Sequence, residues 1–347
     1  MKRPLIIIVF CFFIIQCSKK HKPRSINEVS IKEFTIENVS IRAIKAIDNE
    51  TLYFAGSNGV IGFTNNGGKS WVKNTLYYQD SIKPHFRSIA LNNGNIFALS
   101  IANPALLYKI TATDTTIVYS EKHDKVFYDS LTFFDDNIHG IAVGDPTEDC
   151  PSIIITKDGG ETWEKITCDK LPKFEEGEAF YAASNTNLKT LGSSVWIASG
   201  GNKARVLRSD NYGKTWRVFN TPIIQGKSPQ GIYSIDFANF KRGIVVGGDF
   251  SKPEENYANK AITKNGGKTW TLVANNQEPN YKSCVQYVPK TNGKEVFAVG
   301  KTGISYSEDG GLNWRKVSEE AYYSIQFVDK YTAWLSGNNK IGKLVLK

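Results

Sequence analysis

Five stretches of this chain share one spacing: a Ser or Thr, an Asp or Asn two residues on, a Gly at the fifth place and a Trp at the eighth. They run Thr64 to Trp71, Thr156 to Trp163, Ser209 to Trp216, Thr263 to Trp270 and Ser307 to Trp314. Asn or Asp followed by Gly suits a tight turn, since both tolerate positive φ and the short polar side chain bonds the backbone of its own turn. Apolar runs lead in, such as Ile153-Ile154-Ile155, and the Trp stands where a returning strand begins. Each unit is therefore strand, turn, strand, with an aromatic anchor, and five copies predict a repeat protein.

These stretches resemble the Asp-box, or bacterial neuraminidase repeat, and the resemblance implies a β-propeller with the box on the outer hairpin of each blade, away from any active centre. A box preceded by an Ala-Val-Gly phrase and ending in Gly-Gly-x-Thr-Trp is similar to the photosystem II stability and assembly factor type of propeller. That likeness covers nearly all of residues 31–347 and implies a fold; nothing in it imports a photosystem.

The box tryptophans at 71, 163, 216, 270 and 314 leave a first interval about twice the others, so a unit without a box lies between the first two. It runs from Phe86 to about Ser120, with Leu106-Leu107-Tyr108-Lys109-Ile110 as its third strand and Thr111-Ala112-Thr113-Asp114 in place of the box. Units open on a small residue before an aliphatic one, as in Ala43-Ile44, Ser88-Ile89, Ser130-Leu131, Ser234-Ile235 and Ser324-Ile325, with looser versions near Ala183 and Val285. These openings predict blades at 40–74, 86–120, 127–168, 179–219, 231–274, 281–317 and 321–347. The last blade has room for three strands, and the alternating segment Ile31 to Val39 supplies a fourth, so the two chain ends close the ring. The expected fold is all-β: a single seven-bladed β-propeller with Asp-box hairpins, closed by an N-terminal strand. Aromatic content of 12% and 29 glycines favour strands and turns over helices.

Before the propeller, Lys2 and Arg3 precede an apolar run from Leu5 to Ile15, then Gln16-Cys17-Ser18 and the basic stretch Lys19 to Arg24. The run is too short to span a bilayer as a helix, which needs about 20 residues, and reads as a signal peptide. Cys17 after it resembles a bacterial lipobox, with Ile14 and Gln16 where Leu and a small residue are usual; the alternative is a short uncleaved anchor. The expected organisation is a signal peptide at 1–16, a tether at 17–30 and the propeller at 31–347, in a periplasmic or outer-membrane lipoprotein of the bacterial cell envelope. The chain's net charge of +9 falls to +7 without Lys2 and Arg3. Its lysines are dispersed over the blades, which argues against a nucleic-acid partner, whereas Lys19 to Arg24 can lie against anionic headgroups beside a lipid anchor.

Cys150 and Cys168 stand nine residues either side of Gly159 at the third unit's turn. Regular strand pairing places them face to face as a possible disulfide, which an oxidising periplasm permits. Cys284, in an apolar strand, is expected as a buried core residue.

In a propeller the B–C and D–A loops gather around one channel mouth and the box turns on the opposite face. The long loops here, Asp145–Ser152, Asp249–Asn259, Tyr77–His85, Leu171–Glu178, Pro222–Gln230 and Gln277–Tyr281, all fall at that mouth, the place to look for a partner. Residues entering the inner strands there form an expected binding rim of Arg42, Arg87, Asp129, Tyr181, Tyr233, Lys282 and Tyr323, types that suit a protein or glycan interface. The arginine triad of sialidases cannot be assembled, because only Arg42 and Arg87 enter at the rim. The enzymatic alternative is a glycoside hydrolase using Asp145 and Asp249, which follow equivalent Gly phrases two blades apart and would supply an acid and a base; the same positions are ordinary for Asp at the start of a polar loop. The four histidines stand apart and no Cys-x-x-Cys, P-loop or dinucleotide fingerprint occurs, so neither metal nor cofactor is expected. The leading expectation is a non-enzymatic scaffold that binds a protein or glycan partner and reaches the membrane through its N-terminal lipid anchor.

Overall fold

A computed structural model describes residues 21–346, and these form antiparallel sheets with only two short 3-10 turns besides. The repeat turns set the pattern. In each, the first hydroxyl accepts from the amide of the fifth residue, as Thr156 Oγ1 from Gly160 N at 3.0 Å, and the third residue's carbonyl or carboxylate oxygen accepts from the seventh, as Asp158 Oδ1 from Thr162 N at 3.0 Å. The same pair of bonds recurs at Thr64, Ser209, Thr263 and Ser307. The seventh side chain answers the third: where the third is Asn its amide donates to Ser70, Thr215 or Thr269, and where it is Asp309 the amide of Asn313 donates back. The fifth position requires glycine because φ is positive there, +98° at Gly160, and a Cβ would lie 2.5 Å from Phe97. The turns join the third and fourth strands of their units, as between Ser152–Thr156 and Glu164–Lys165.

The innermost strand of each unit is labelled in chain order: β1 (Ser30–Ala46), β2 (Phe86–Asn92), β3 (Tyr128–Phe133), β4 (Leu188–Leu191), β5 (Gln230–Phe237), β6 (Cys284–Tyr287) and β7 (Ser324–Phe327). Each is followed outward by antiparallel partners. Neighbours in this order pack against one another, and β7 also packs against β1. Side chains stitch the last of these seams. Asp236 Oδ2 accepts from Tyr287 N (2.7 Å), Gln286 Oε1 from Phe327 N (2.6 Å) and Gln326 Oε1 from Ala46 N (2.9 Å). All three occupy the same place in their strands, one residue after the opening aliphatic.

β1 serves two units. Its first half, Ser30 to Thr35, pairs with the strand Asn338–Val345 beyond β7, and Ile41 to Ala46 pair with Leu52–Gly56 of the first unit. The unit without a box is present as β2, Asn95–Ser100, Ala105–Ile110 and Thr115–Glu121, turned by Thr111 N to Asp114 O at 2.9 Å. Aliphatic and aromatic side chains fill the gaps between adjacent units, with the box Trp163 against Phe133 and Trp270 against Phe237.

The fourth unit departs from expectation. Its inner strand opens at Leu188, five residues beyond Ala183, and Glu178–Ala179 pairs instead with Gly200–Gly201, which joins the fifth unit's sheet at Gly231. Between them, Tyr181 to Asn187 forms no strand. Small side chains let this segment enter the space enclosed by the inner strands, and its polar groups bond the walls.

Candidate functional site: a stoppered channel mouth

The segment Tyr181 to Asn187 reaches the inner wall at every other unit. Arg42 donates to Ala183 O and Arg87 to Ala182 O, each at 3.3 Å. Asn185 donates to Ile89 O (3.0 Å) and accepts from Leu131 N (2.9 Å). Thr186 O accepts from Ile235 N (2.9 Å), Ser184 Oγ donates to Ser283 O (2.7 Å), and Ser324 Oγ donates to Ser184 O (3.4 Å). The channel is thus closed on the side of the long loops. A cavity of about 500 Å³ remains beyond the stopper, lined by Lys45, Lys189, Asp135, Asp236 and Gln286 and placed toward the face that carries the repeat turns.

Above the stopper, four of the expected rim residues retain exposed surface: Arg42, Arg87, Tyr181 and Tyr323. The Arg42 guanidinium lies 4.0 Å from the Tyr323 ring centroid, a cation–π contact. Its Nε is buried without a hydrogen-bond partner. Burial lowers the pKa of both arginines, and with Arg42 beside it Arg87 falls to about 10. Tyr181 stacks on Tyr233 with centroids 3.9 Å apart and planes at 3°, and Tyr233 meets Tyr281 edge-on at 4.8 Å. Tyr281, which the spacing argument passed over, therefore belongs to this aromatic wall. Its position at the end of the long loop Gln277–Tyr281 is the signal that pointed to it.

Three rim expectations are corrected. Lys282 is fully buried and turned into its own sheet, where Nζ donates to Thr302 Oγ1 (2.8 Å) and Gly303 O (3.1 Å). Asp129 lies beneath the stopper with no exposed surface, its carboxyl held well above the usual range by burial and by Asp145. Tyr233 is also buried and serves the rim only as the platform under Tyr181. Strand periodicity identifies the residues at the head of each inner strand but not the side to which a long side chain turns.

Asp145 follows and Asp249 ends the second strand of its unit at this mouth, and the two are occupied differently. Asp249 Oδ1 accepts from Ser251 N and Oγ at 2.9 and 2.5 Å, and Oδ2 accepts from Gln230 Nε2 at 3.1 Å, so the carboxylate caps its own loop. Asp145 Oδ1 accepts from Phe180 N at 2.7 Å, and burial raises its pKa to about 6. Asp249 thus has both oxygens engaged, whereas Asp145 keeps Oδ2 without a protein partner. Among the described residues no cluster of three His, Cys, Asp or Glu side chains could hold a metal ion.

Cys150 and Cys168 form a disulfide, 18 residues apart in sequence, at the start of the connection that becomes the stopper. Farther along it, the fully buried carboxylate of Glu178 takes two bonds from Arg205, Nε to Oε1 (2.9 Å) and NH2 to Oε2 (2.5 Å), and one from Ser199 Oγ (2.6 Å). Cys284 is buried, as expected.

Antiparallel units set around a channel, with loops from many units meeting at its mouth, define the chain as a β-propeller. Solved propellers match it closely in shape. A structure described as YCF48 bound to D1 peptide aligns with a TM-score of 0.65 at 14% identity over 93% of this chain and all (100%) of that one. YCF48 from Cyanidioschyzon merolae aligns at 0.61 and 15% identity over 91% of this chain and 99% of that one. The WD40 repeats of RRP9 align at 0.65 and 10% identity over 92% of this chain and 100% of that one. No protein-family model and no curated protein matches the chain in sequence.

Proposed function

We propose that this protein is an exported, lipid-anchored scaffold whose channel mouth captures an acidic segment of a protein partner without chemistry. The observation that carries the reading is the Arg42–Arg87 pair, set side by side at the mouth with an unfilled buried donor at Arg42 Nε and tyrosines around it. Guanidinium groups recognise carboxylates through paired donors, and rigid tyrosines supply contact area at little entropic cost. The similar fold described as bound to a D1 peptide supports a peptide as the ligand class. The engagement of both Asp145 and Asp249 by backbone and loop groups disfavours the hydrolase reading.

The architecture proposed with this function is a seven-bladed, Asp-box propeller over residues 31–347. Its support is the packing of β7 on β1, the Gln326 stitch to Ala46 and Ile44, and the pairing of Ser30 to Thr35 beside Asn338–Val345. The signal peptide at 1–16 and the lipidated Cys17 lie outside the described residues and belong to the proposal on sequence grounds.

The test is capture of peptides ending in a free carboxylate against the same peptides amidated. The wild-type protein is expected to prefer the free acid at least tenfold, and Arg42→Gln with Arg87→Gln is expected to abolish the preference while the protein still unfolds in one cooperative transition, at a lower temperature for the stopper bonds it loses. Equal binding of both peptide forms, or capture of neutral glycans unaffected by the double substitution, overturns the reading.

A further inference from the structure

The first described residues are fastened to one edge of the propeller by an unusually dense set of contacts. Glu295, fully buried between β6 and the next strand, accepts at Oε2 from Arg24 Nε (2.9 Å) and at Oε1 from the Arg24 backbone (3.2 Å), and His21 Nε2 lies 2.6 Å from the same Oε1. Tyr306 OH donates to Arg24 O (2.8 Å) and Arg315 Nε to Ile26 O (2.5 Å). Ile26 is buried in the same cluster as Phe297, Tyr306 and Phe327. Glu295 ends the connection between the first and second strands of its unit, Tyr306 lies one residue from the end of Gly303–Ser307, and Arg315 opens Arg315–Ser318. All three lie at the end of the sheet that carries the repeat turn, the end opposite the stoppered mouth.

An exposed apolar patch adjoins this point. Tyr331, Val345 and Ile47 are each 46% exposed, Val345 between the buried Leu344 and Leu346. Leu346 N donates to Tyr331 O (2.7 Å), and Asn49 Nδ2 donates to Asp329 Oδ2 (3.3 Å), which joins the turns that bear Ile47 and Tyr331. Cations flank the aromatic ring: Lys330 Nζ lies 4.7 Å and the Arg24 guanidinium 5.6 Å from the Tyr331 centroid, and Lys22 is exposed beside them.

We infer that this edge is a seat on an anionic lipid surface, which holds the molecule with its repeat-turn face toward the bilayer and its arginine-bearing mouth toward the aqueous side. The inference rests on lipid anchoring at Cys17. Three residues lie between Cys17 and His21, and an extended chain spans at most about 14 Å over those Cα steps. With His21 and Arg24 fastened to Glu295, an acylated Cys17 leaves the propeller no slack to turn over. A Tyr flanked by Lys and Arg has the amphipathic character of residues at the headgroup level, and the cations meet the negative surface potential of anionic lipids. The partner captured at the mouth is then a segment presented from the aqueous compartment.

The experiment uses the full chain in vesicles containing phosphatidylglycerol, with a fluorophore on Ile47→Cys or, separately, on Lys203→Cys in a loop at the mouth. Among the described residues Cys284 is buried and Cys150 and Cys168 are bonded; in the anchored protein Cys11 leaves with the signal peptide and the sulfur of Cys17 carries the lipid, so the introduced thiol is the one labelled. Lipids brominated near the headgroup are expected to quench position 47 at least threefold more than position 203. Arg24→Ala with Glu295→Gln, which frees the tether, is expected to remove that difference while membrane recovery stays unchanged, and Tyr331→Asp is expected to reduce it. Fatty-acid labelling at Cys17 with equal quenching at the two positions overturns the seat but leaves the anchor standing. A wild-type chain that is unlabelled and remains in the soluble fraction overturns the anchor and the seat together. Protection of position 47 without vesicles, in a dimer broken by Tyr331→Asp, assigns the patch to a second copy of the chain and also overturns the seat.

Discussion

The repeat turns and the stopper segment Tyr181 to Asn187 are made of the same small polar residues, used in opposite directions. In a repeat turn, Thr156, Asp158 and Thr162 spend their bonds on one another and on the amide of Gly160, within eight residues. In the stopper, Ser184, Asn185 and Thr186 spend theirs on strands from 48 to 140 residues away, Asn185 alone joining β2 to β3. Local closure makes each turn an independent device that can be copied. Distributed closure makes the stopper a single part whose loss is felt by several units at once.

The disulfide tests how far the irregular region depends on its mooring. Cys150–Cys168 closes a loop of 18 residues at the root of the stopper connection. The chain-entropy argument assigns such a link about 3 kcal/mol. Cys150→Ser with Cys168→Ser is expected to lose that much in denaturant unfolding, and hydrogen exchange is expected to quicken first at residues 169–187 rather than at the Thr156 turn. Uniform loosening of the third unit would erase the distinction between the two regions.

Asn185→Ala strips both bonds by which this side chain joins β2 to β3 and leaves Ile89 O and Leu131 N facing the channel. Removing one partner of a buried bond costs roughly 1–3 kcal/mol, and water from the adjoining cavity can replace part of it. A loss of about 2 kcal/mol is expected, with faster exchange at Leu131 in a unit to which residue 185 does not belong. An effect confined to the fourth unit would show that the stopper merely fills space.

Asp145 links a mouth loop to the approach of the stopper, and its titration gives the contact a pH signature. Its folded pKa of about 6 stands above the ordinary 3.8 because the buried charged form is disfavoured. The penalty is absent below about 3.8, grows as pH rises and is complete above about 6, so this group makes the protein less stable with rising pH across that window. Asp145→Asn keeps an oxygen for Phe180 N and does not titrate. At pH 7 it is expected to gain on the order of 1–2 kcal/mol, and at pH 3.5 to match wild type. A gain that is the same at both pH values would mean that the carboxyl is not the source.

The legible part of the molecule was the part built from local devices. Turn chemistry marks all five repeat turns, interval arithmetic marks the unit from Phe86 to Glu121, and alternation marks the strand at Ile31, because each signal is contained in a short window. In the fourth unit, Ala183 imitates the small residue of the other openings, although the inner strand begins at Leu188. The run Ala182-Ala183-Ser184-Asn185-Thr186-Asn187 has neither alternation nor a turn signature, and its conformation is set by groups on six other strands. The rim was read in the same partial way. Arg42, Arg87, Tyr181 and Tyr323 are at the mouth, whereas Lys282 turned inward to Thr302 and Asp129 was covered by a segment that no local pattern announced.

One repeat turn carries a trace of the other logic. Tyr212 stands where the remaining four turns have glycine, and it adopts φ +59° among glycines at +69° to +81°. A bulky residue in that region costs about 1 kcal/mol. Its ring stacks on His139 with centroids 4.1 Å apart and meets Phe134 edge-on at 5.1 Å, so it ties this turn to the neighbouring unit. Aromatic contacts of this kind contribute about 0.5–1.5 kcal/mol, which offsets the backbone cost. Tyr212→Gly removes both terms and is expected to change stability by less than about 0.5 kcal/mol. Tyr212→Ala keeps the strain and loses the stack, and is expected to be less stable than the Gly variant by about 1 kcal/mol in urea unfolding. If Ala and Gly behave alike, the backbone is not strained at this position and Tyr212 is simply tolerated; if Gly is much the worse, the contact between units outweighs the turn, and even the most regular element of this fold is partly held from outside.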